Sequence, residues 1–166
     1  NALATAEGAV QVAMEEYEGL ISNSRCLVTG YGRIGRALAP RLKAFGAEIT
    51  VCARKYEQLA WAEADGCKTV SLNTNGRLEE LLPCFDIVFN TVPARIFGRE
   101  RLLLLKKDCL IIDLASKTGI DDFELAKNAG VRVIWALSLP GKTAPVTAGE
   151  IIASTIHNII SEKGGT

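Results

Sequence analysis

The sequence has few of the residues that build metal centres and disulfide frameworks. It contains one histidine among 166 residues, and its five cysteines stand singly, without a CxxC pair. An odd number of scattered cysteines argues against a disulfide framework and against a thiolate metal site. We therefore expect no bound metal and a reducing, cytoplasmic compartment. Apolar runs approaching the roughly 18 residues needed to cross a bilayer are also missing, and no signal-peptide pattern is recognisable, so we expect no membrane association.

An excess of charge of one sign is missing as well. Nineteen Lys and Arg residues balance nineteen Asp and Glu residues, so the chain lacks the basic surplus that attracts nucleic acid. We expect no nucleic-acid partner. Hydrophobic residues make up 48% of the sequence, which is ordinary for a globular protein, and the length suits one domain with a full core. We therefore treat residues 1–166 as a single domain.

Short β-rich runs alternate with helical stretches along the chain. Strands are predicted at Arg25–Thr29, Glu48–Ala53, Cys67–Leu72, Asp86–Asn90, Cys109–Leu114 and Val131–Leu137. Helices are predicted at Arg33–Phe45, Lys55–Asp65, Arg77–Leu82, Arg99–Leu105 and Asp122–Ala129. This alternation predicts an α/β fold of the Rossmann type, a doubly wound parallel six-stranded sheet with strand order 3-2-1-4-5-6.

Amphipathic helices flank this core at both ends. The first is predicted over residues 1–21, with Thr5 as its N-cap and Glu7 in its first turn. The last is predicted over residues 147–162, with isoleucines along one face. The strands already have enough crossover helices to cover them, so we expect both flanking helices to bridge to a second, N-terminal domain that would precede Asn1. The alternative is that both helices pack on the sheet.

A glycine-rich motif directly follows the first predicted strand and opens a helix. It reads GYGRIG and fits the GxGxxG pattern, which in this context indicates a dinucleotide-binding loop. The first glycine allows the tight turn, the second lets the backbone approach the pyrophosphate, and the third lets helix and strand pack closely. The predicted cofactor-binding residues of this loop are Gly30, Tyr31, Gly32, Arg33, Ile34 and Gly35.

The tip of the second strand indicates which dinucleotide is bound. An NAD site usually places Asp or Glu there to accept hydrogen bonds from the ribose hydroxyls. This strand ends in Arg54 and Lys55 instead. A guanidinium group can bind a 2′-phosphate through two hydrogen bonds, and the lysine adds a second positive charge. We therefore predict NADP(H) as the cofactor, with NAD(H) as the alternative.

The remaining strand ends supply further candidates, because ligands of such sheets bind at the carboxyl ends of the strands. The predicted cofactor contacts there are Thr91, Val92, Pro93, Ala115, Ser116, Leu139 and Pro140. We predict that Leu139–Pro145 is a stiff loop forming one wall of a substrate pocket. Asp113 is predicted to anchor the segment that follows it. His157, on the polar side of the last helix, is predicted not to be catalytic.

Five segments of the chain carry a family resemblance, and they are Asn1–Gly8 (NALATAEG), Leu27–Gly35 (LVTGYGRIG), Phe89–Ala94 (FNTVPA), Ile111–Ser116 (IIDLAS) and Leu139–Glu150 (LPGKTAPVTAGE). In these segments the chain resembles the family of bacterial dipicolinate synthase A subunits. This resemblance implies that a dihydrodipicolinate-type precursor is oxidised to pyridine-2,6-dicarboxylate, a small chelator of spores. It also implies that the partner is a flavoprotein-like B subunit and that the location is the mother-cell cytoplasm of a sporulating bacterium. We expect a homo-oligomer in addition.

A cyclic dicarboxylate substrate would require cations near the strand ends. Lys142 is the leading candidate, and Arg95 and Lys117 follow it. For Arg95 a helix-capping role, and for Lys117 a solvated turn, are equally good interpretations. Glu7 is predicted either to interact with the helix dipole or to act as a catalytic acid–base.

Three alternatives to this function remain open. A domain like that of D-2-hydroxyacid dehydrogenases would need a His–Glu or comparable pair near the nicotinamide, and no suitably placed histidine exists in this sequence. A domain like that of adenosylhomocysteine hydrolases shares the fold and its flanking helices. A sensor that binds NAD(P)H without chemistry belongs to another class, and the long segment after strand six argues against it.

Overall fold

The strands form the predicted sheet. A computed structural model describes residues 1–74 and 76–163, and within these ranges the chain forms six parallel strands and eight helices. The strands are β1 Arg25–Thr29, β2 Glu48–Ala53, β3 Lys68–Ser71, β4 Ile87–Asn90, β5 Leu110–Asp113 and β6 Arg132–Trp135. Their order is β3-β2-β1-β4-β5-β6, which confirms the predicted doubly wound topology. The winding reverses between β1 and β4, and such a reversal is where open α/β sheets bind ligands.

The helices cover both faces of the sheet. They are α1 Ala2–Glu16, α2 Arg33–Ala44, α3 Tyr56–Ala64, α4 Arg77–Leu81, α5 Arg99–Leu104, α6 Phe123–Asn128, α7 Leu139–Thr143 and α8 Pro145–Lys163, with a 3₁₀ turn at Leu82–Cys84. The bounds of the strands and of α2 to α6 lie within two residues of the predicted ones. A helical pattern between strands was therefore sufficient to locate these elements.

Each strand is apolar on both sides because each face of the sheet is covered. In β1, Cys26 and Val28 pack with α1 and α2, whereas Leu27 packs on the opposite face. That opposite layer contains Leu78 of α4 and Leu102 of α5. The two cores leave the carboxyl ends of the strands at one edge, where the glycine loop lies.

Helix α1 has its N-cap upstream of the predicted one and ends before the predicted residue 21. Its N-cap is Asn1, so the prediction of Thr5 as N-cap is wrong; the Thr5 hydroxyl instead donates to the Asn1 carbonyl oxygen at 2.9 Å. The strong helix formers before Thr5 extend the helix upstream. As a result, Glu7 lies beyond the first turn, and the predicted first-turn interaction with the helix dipole is wrong. The helix ends at Glu16, shortly before Gly19.

The segment Leu139–Pro145 is helical apart from Ala144, which separates α7 from α8, so the prediction of a loop there is wrong. Pro140 lies in the first turn of α7 and Pro145 begins α8, and the start of a helix is where proline is favourable. The sequence pattern assigns these prolines to a loop, whereas in the structure they lie at the starts of helices. Helix α7 packs closely on α1: a Cβ atom added to Gly8 would lie 2.6 Å from Thr143 Oγ1.

The two flanking helices differ in how they pack. Helix α1 buries Ala6, Ala9 and Ala13 in the core, as expected for a helix that covers the sheet. Helix α8 is exposed along its described side chains apart from Ala148, including five isoleucines. The bridging of both helices to a second domain stays a prediction. Among the described residues, no helix combines the length and apolarity that a membrane span requires.

Candidate dinucleotide-binding site

The three glycines of the loop occupy three different environments. Gly30 has a φ of +78°, and its N–H donates to the Cys52 carbonyl oxygen at 2.7 Å, so it forms the tight turn between β1 and α2. A Cβ atom on Gly35 would lie 2.4 Å from the Gly30 carbonyl oxygen, whereas one on Gly32 would meet no atom of the described residues within 4 Å. Gly35 therefore permits close packing of helix and strand, and Gly32 borders open space.

The beginning of α2 is suited to bind an anion. Gly32 is the N-cap residue and has no side chain to accept hydrogen bonds from the first-turn amide groups. The first turn carries no acidic residue, and its first residue is the exposed Arg33. A cation beside the positive end of a helix is unfavourable by itself. A bound phosphate group would neutralise both charges and accept the amide hydrogen bonds.

Tyr31 contributes to this loop through its buried side chain and through its backbone N–H. Its side chain is buried, and its hydroxyl donates to Asp65 Oδ2 at 2.8 Å. Burial and the hydrogen bond with Asp65 raise the pKa of the Tyr31 hydroxyl, so this group stays protonated and fixes α3 to the loop. The backbone N–H of Tyr31 donates to Gln58 Oε1 at 3.2 Å. Sequence reasoning missed Gln58, which only the packing of α3 brings to the loop.

A cleft of about 470 Å³ lies between the glycine loop and the tip of β2. Its lining residues are Gly30, Gly32, Ala53, Arg54, Lys55, Gln58, Leu72, Thr91, Val92 and Pro93. Arg54 and Lys55 are both exposed, and Asn73 Nδ2 donates to the Arg54 carbonyl oxygen at 2.9 Å. The structure therefore brings together seven of the predicted cofactor residues. Positive charge at the tip of β2 stands where a ribose-binding carboxylate would stand in an NAD site.

A second cleft of about 530 Å³ lies on the other side of the loop. It is lined by Asn1, Ala2, Thr5, Gly32, Arg33, Ile34, Thr91, Ile151, Ile152, Thr155 and Ile156. The two clefts share Gly32 and Thr91. Open space thus exists on both sides of the phosphate-binding loop, enough for an extended two-part ligand. The contribution of α8 was not predicted, because the isoleucines were assigned only to a bridging face.

The ends of β1, β4 and β5 are joined by buried polar side chains. Thr29, Asn90 and Asp113 have no exposed surface. The Thr29 hydroxyl donates to Asn90 Oδ1, and Asn90 Nδ2 donates to Asp113 Oδ1 at 2.8 Å. Asp113 Oδ2 accepts from the Gly119 N–H at 2.8 Å. The prediction that Asp113 anchors the following segment is confirmed.

The remaining predicted cofactor residues differ in how far they are exposed. Ala115 and Leu139 are buried, Leu139 within the core beside α1. Ser116 is exposed and Pro140 is half-buried. Neither these four residues nor Tyr31 and Gly35 line the two clefts. Their direct contact with a cofactor stays a prediction.

The four predicted catalytic residues do not converge on either cleft. Glu7 Oε1 pairs with Arg41 Nη2 at 2.9 Å, and Arg95 pairs with Asp121. Lys117 and Lys142 are exposed, on the segment after β5 and on α7 respectively. In each of the two ion pairs, a residue of the chain itself neutralises the candidate side chain, whose charge would otherwise be available to a substrate. Catalytic roles for these residues stay predictions.

A doubly wound sheet with a GxGxxG loop at its switch point defines a dinucleotide-binding domain of the dehydrogenase type. The chain belongs to the family described as D-isomer specific 2-hydroxyacid dehydrogenase, NAD binding domain, whose model matches residues 4–135. The ligand of this family is a nicotinamide cofactor.

The relatives of the chain include dipicolinate synthase A subunits, as the sequence resemblance indicated. The chain is 35% identical to the A subunit of dipicolinate synthase from Bacillus subtilis over 98% of its own length and 54% of that protein. The crystal structure of that same Bacillus subtilis protein matches with a TM-score of 0.90 at 33% identity, covering 97% of this chain and 53% of that one. The crystal structure of the A subunit from Bacillus halodurans matches with a TM-score of 0.88 at 31% identity, covering 96% and 54%. The chain therefore spans about half the length of these relatives.

Proposed function

We propose that this chain is the NADP(H)-binding part of an oxidoreductase that oxidises a dihydrodipicolinate-type precursor to pyridine-2,6-dicarboxylate. The observation that carries the proposal is the 35% identity, along 98% of the chain, to the A subunit of a dipicolinate synthase. The reaction removes a hydride, which passes to the nicotinamide, and a proton, which is released to water. Because the ring becomes aromatic, the loss of hydride is favourable without strong acid–base assistance.

Further parts of the proposal concern partners and location. A flavoprotein-like B subunit would act with this chain, since the relative is named as one subunit of a synthase. A second domain would cover the exposed isoleucines of α8. The protein would form a homo-oligomer, and it would act in the cytoplasm of a sporulating cell. The subunit designation of the relatives supports the first of these points, and assembly with a co-expressed B subunit tests it.

The preference for NADP(H) rests on Arg54 and Lys55, which line the cleft at the tip of β2. Loss of a charged hydrogen-bonding partner costs about 1.5–3 kcal/mol, so Arg54→Ala should weaken NADPH binding about 10- to 150-fold. NADH binding should hardly change, because NADH has no 2′-phosphate. Arg77→Ala, which removes an exposed arginine paired with Glu80, is the matched control. Calorimetric titration that gives equal losses for both cofactors would exclude this role of Arg54.

The substrate-binding cations are tested in the full-length protein together with its partner subunit. Lys142→Met keeps the apolar stem of the side chain and removes the charge. The loss of about 1.5–3 kcal/mol should lower kcat/KM about 10- to 150-fold. Arg95→Met and Lys117→Met are measured beside it, with Lys107→Met as a control for an exposed lysine near the amino edge of the sheet. If Lys142→Met leaves kcat/KM unchanged and Arg95→Met lowers it strongly, the site that binds the substrate carboxylate lies on the segment after β4 instead.

A second candidate is oxidation or reduction of a 2-hydroxyacid, because the family model is that of D-2-hydroxyacid dehydrogenases. The histidine of this sequence, His157, lies in the exposed helix α8 and is not among the residues that line the two clefts. A sensor without chemistry also stays in consideration, since the long loop that argued against it is helical. Turnover of glyoxylate would favour the 2-hydroxyacid reaction, and binding without any turnover would favour the sensor.

A further inference from the structure

Three buried polar side chains lie side by side across the switch point of the sheet. Thr29, Asn90 and Asp113 are the last residues of β1, β4 and β5, and Thr29 pairs with Asn90 and Asn90 with Asp113 in the strand register. Residues in register on parallel strands project to the same side of the sheet. Polar side chains with no exposed surface are costly unless their hydrogen bonds are made, and all three make them here.

The hydrogen bonds of these side chains extend into the segment after β5. Each oxygen of the Asp113 carboxyl group accepts two hydrogen bonds. Oδ1 accepts from Asn90 Nδ2 and from the Ala115 N–H at 3.1 Å, and Oδ2 accepts from the Thr118 hydroxyl at 3.0 Å and the Gly119 N–H at 2.8 Å. The packing is close as well, since a Cβ atom on Gly119 would lie 2.6 Å from Asn90 Nδ2.

The same side chains hold the segment after β4. Asn90 Nδ2 donates to the Val92 carbonyl oxygen at 3.1 Å, and Asn90 Oδ1 accepts from the Val92 N–H at 3.3 Å. The Thr91 hydroxyl donates to the Thr29 carbonyl oxygen at 2.7 Å, directly before the glycine loop. One hydrogen-bonded cluster therefore fixes two strand-end segments against the phosphate-binding turn.

We infer that Thr29, Asn90 and Asp113 are positioning residues for the nicotinamide half of the bound cofactor, an inference that rests on the proposed function. A fully satisfied buried network holds one conformation rigidly, and this one holds the segments on the β4–β5 side of the switch point. The adenosine half is served by Arg54 and Lys55 beyond β2, and the cluster reaches that cleft only at its other end, through Thr91 and Val92. Disturbing the β5 end of the cluster, at Asp113, should therefore affect mainly the nicotinamide half of the ligand.

The test compares whole and half ligands. Wild-type protein, Asp113→Asn and Thr118→Val are titrated with NADPH or NADH, whichever binds the wild type more tightly, and with the matching half ligand, 2′,5′-ADP or ADP. Asp113→Asn places an amide donor against backbone donors. Thr118→Val removes the hydroxyl that donates to Asp113 and accepts from the Ile120 N–H at 3.1 Å, so it disturbs the cluster from outside the strands if Asp113→Asn does not fold. Ser24→Ala is the control, because its buried hydroxyl donates to the Ile21 carbonyl oxygen at the amino edge of the sheet.

We expect both variants to lose about tenfold in dinucleotide affinity, with half-ligand affinity held within about twofold. The enhancement of nicotinamide fluorescence on binding should fall in the same variants and persist in Ser24→Ala. An unchanged ratio of whole- to half-ligand affinity in the folded variants would overturn the inference alone, since that is the behaviour of a purely structural cluster. A wild-type protein that binds neither ligand would overturn the proposed function and this inference with it.

Discussion

Gly32 and Gly35 lie three residues apart in the glycine loop, yet adding one methyl group to each should have opposite consequences. A Cβ atom on Gly35 would lie 2.4 Å from a backbone oxygen, that of Gly30, and backbone cannot swing aside as a side chain can. A Cβ atom on Gly32 would enter open space, and the φ of −84° and ψ of −158° of this residue are allowed for alanine. Gly35→Ala should therefore damage folding, whereas Gly32→Ala should damage ligand binding.

The magnitudes follow from competing effects. Alanine is favoured over glycine inside a helix by about 1 kcal/mol. Overpacking costs about 1–3 kcal/mol, and an approach of 2.4 Å to a backbone oxygen belongs to the upper part of that range, about 2–3 kcal/mol. The net loss for Gly35→Ala is therefore about 1–2 kcal/mol. For a chain of this length that corresponds to a fall in Tm of about 2–8 °C. For Gly32→Ala, the lower conformational entropy of the unfolded chain stabilises the folded protein by about 0.4–1 kcal/mol. The loss of a favourable N-cap residue opposes this gain. Its Tm should stay within about 2 °C of the wild type.

Thermal unfolding with and without cofactor separates the two variants. Gly32→Ala should unfold as the wild type does but lose at least about tenfold in NADPH affinity, because the methyl group occupies the space for the pyrophosphate. Gly35→Ala should show the lower Tm and still respond to cofactor. The reasoning is refuted if Gly32→Ala binds NADPH as tightly as the wild type, or if Gly35→Ala is the more stable of the two.

Two other predictions follow from buried and paired groups. Cys84 is exposed, whereas burial raises the pKa of Cys52 to about 12 and raises the pKa values of the other three cysteines. Ellman's reagent should therefore modify a single thiol quickly, and Cys84→Ser should abolish that fast reaction. Several fast-reacting thiols would contradict the burial of the other four cysteines. Burial tends to raise the pKa of Asp86, but hydrogen bonds from the Arg25 N–H and Lys106 outweigh it and hold the pKa below its ordinary value. The stabilisation by the ionised Asp86 is present above about pH 4 and is lost as pH falls through the lowered pKa. Asp86→Asn should therefore reduce Tm at neutral pH and make the fall of Tm in acid less steep. An unchanged fall of Tm in acid would contradict the stabilising hydrogen bonds of Asp86.

The strands and the glycine loop could be predicted from the sequence because their signals are local. An apolar run such as Cys26–Thr29 followed at once by GYGRIG is read from neighbouring residues, and the strand order follows from the handedness of the crossovers. The helix starts were harder. Thr5 is a good N-cap residue in isolation, but the alanines before it form helix equally well, and Pro140 and Pro145 are compatible with both a loop and a helix start.

The parts of the site that could not be predicted depend on contacts between distant residues. Gln58 reaches the Tyr31 N–H because α3 packs beside the loop, and nothing near Gln58 in the chain indicates this. Asn90 and Asp113 become neighbours through the register of β4 and β5, which a sequence pattern does not fix. The presence of Asp113 at the end of an apolar strand was the one local sign of that cluster.

The central claim is that a nicotinamide dinucleotide binds across the glycine loop at the switch point of this sheet. Titration of the ¹⁵N-labelled chain with NADPH, followed through the backbone amide signals, tests it most directly. The account predicts that the largest shifts fall on Gly30–Gly35, on Arg54 and Lys55, and on Thr91 and Val92. Shifts confined to other surfaces, or no shifts at cofactor concentrations that saturate related dehydrogenases, would contradict it.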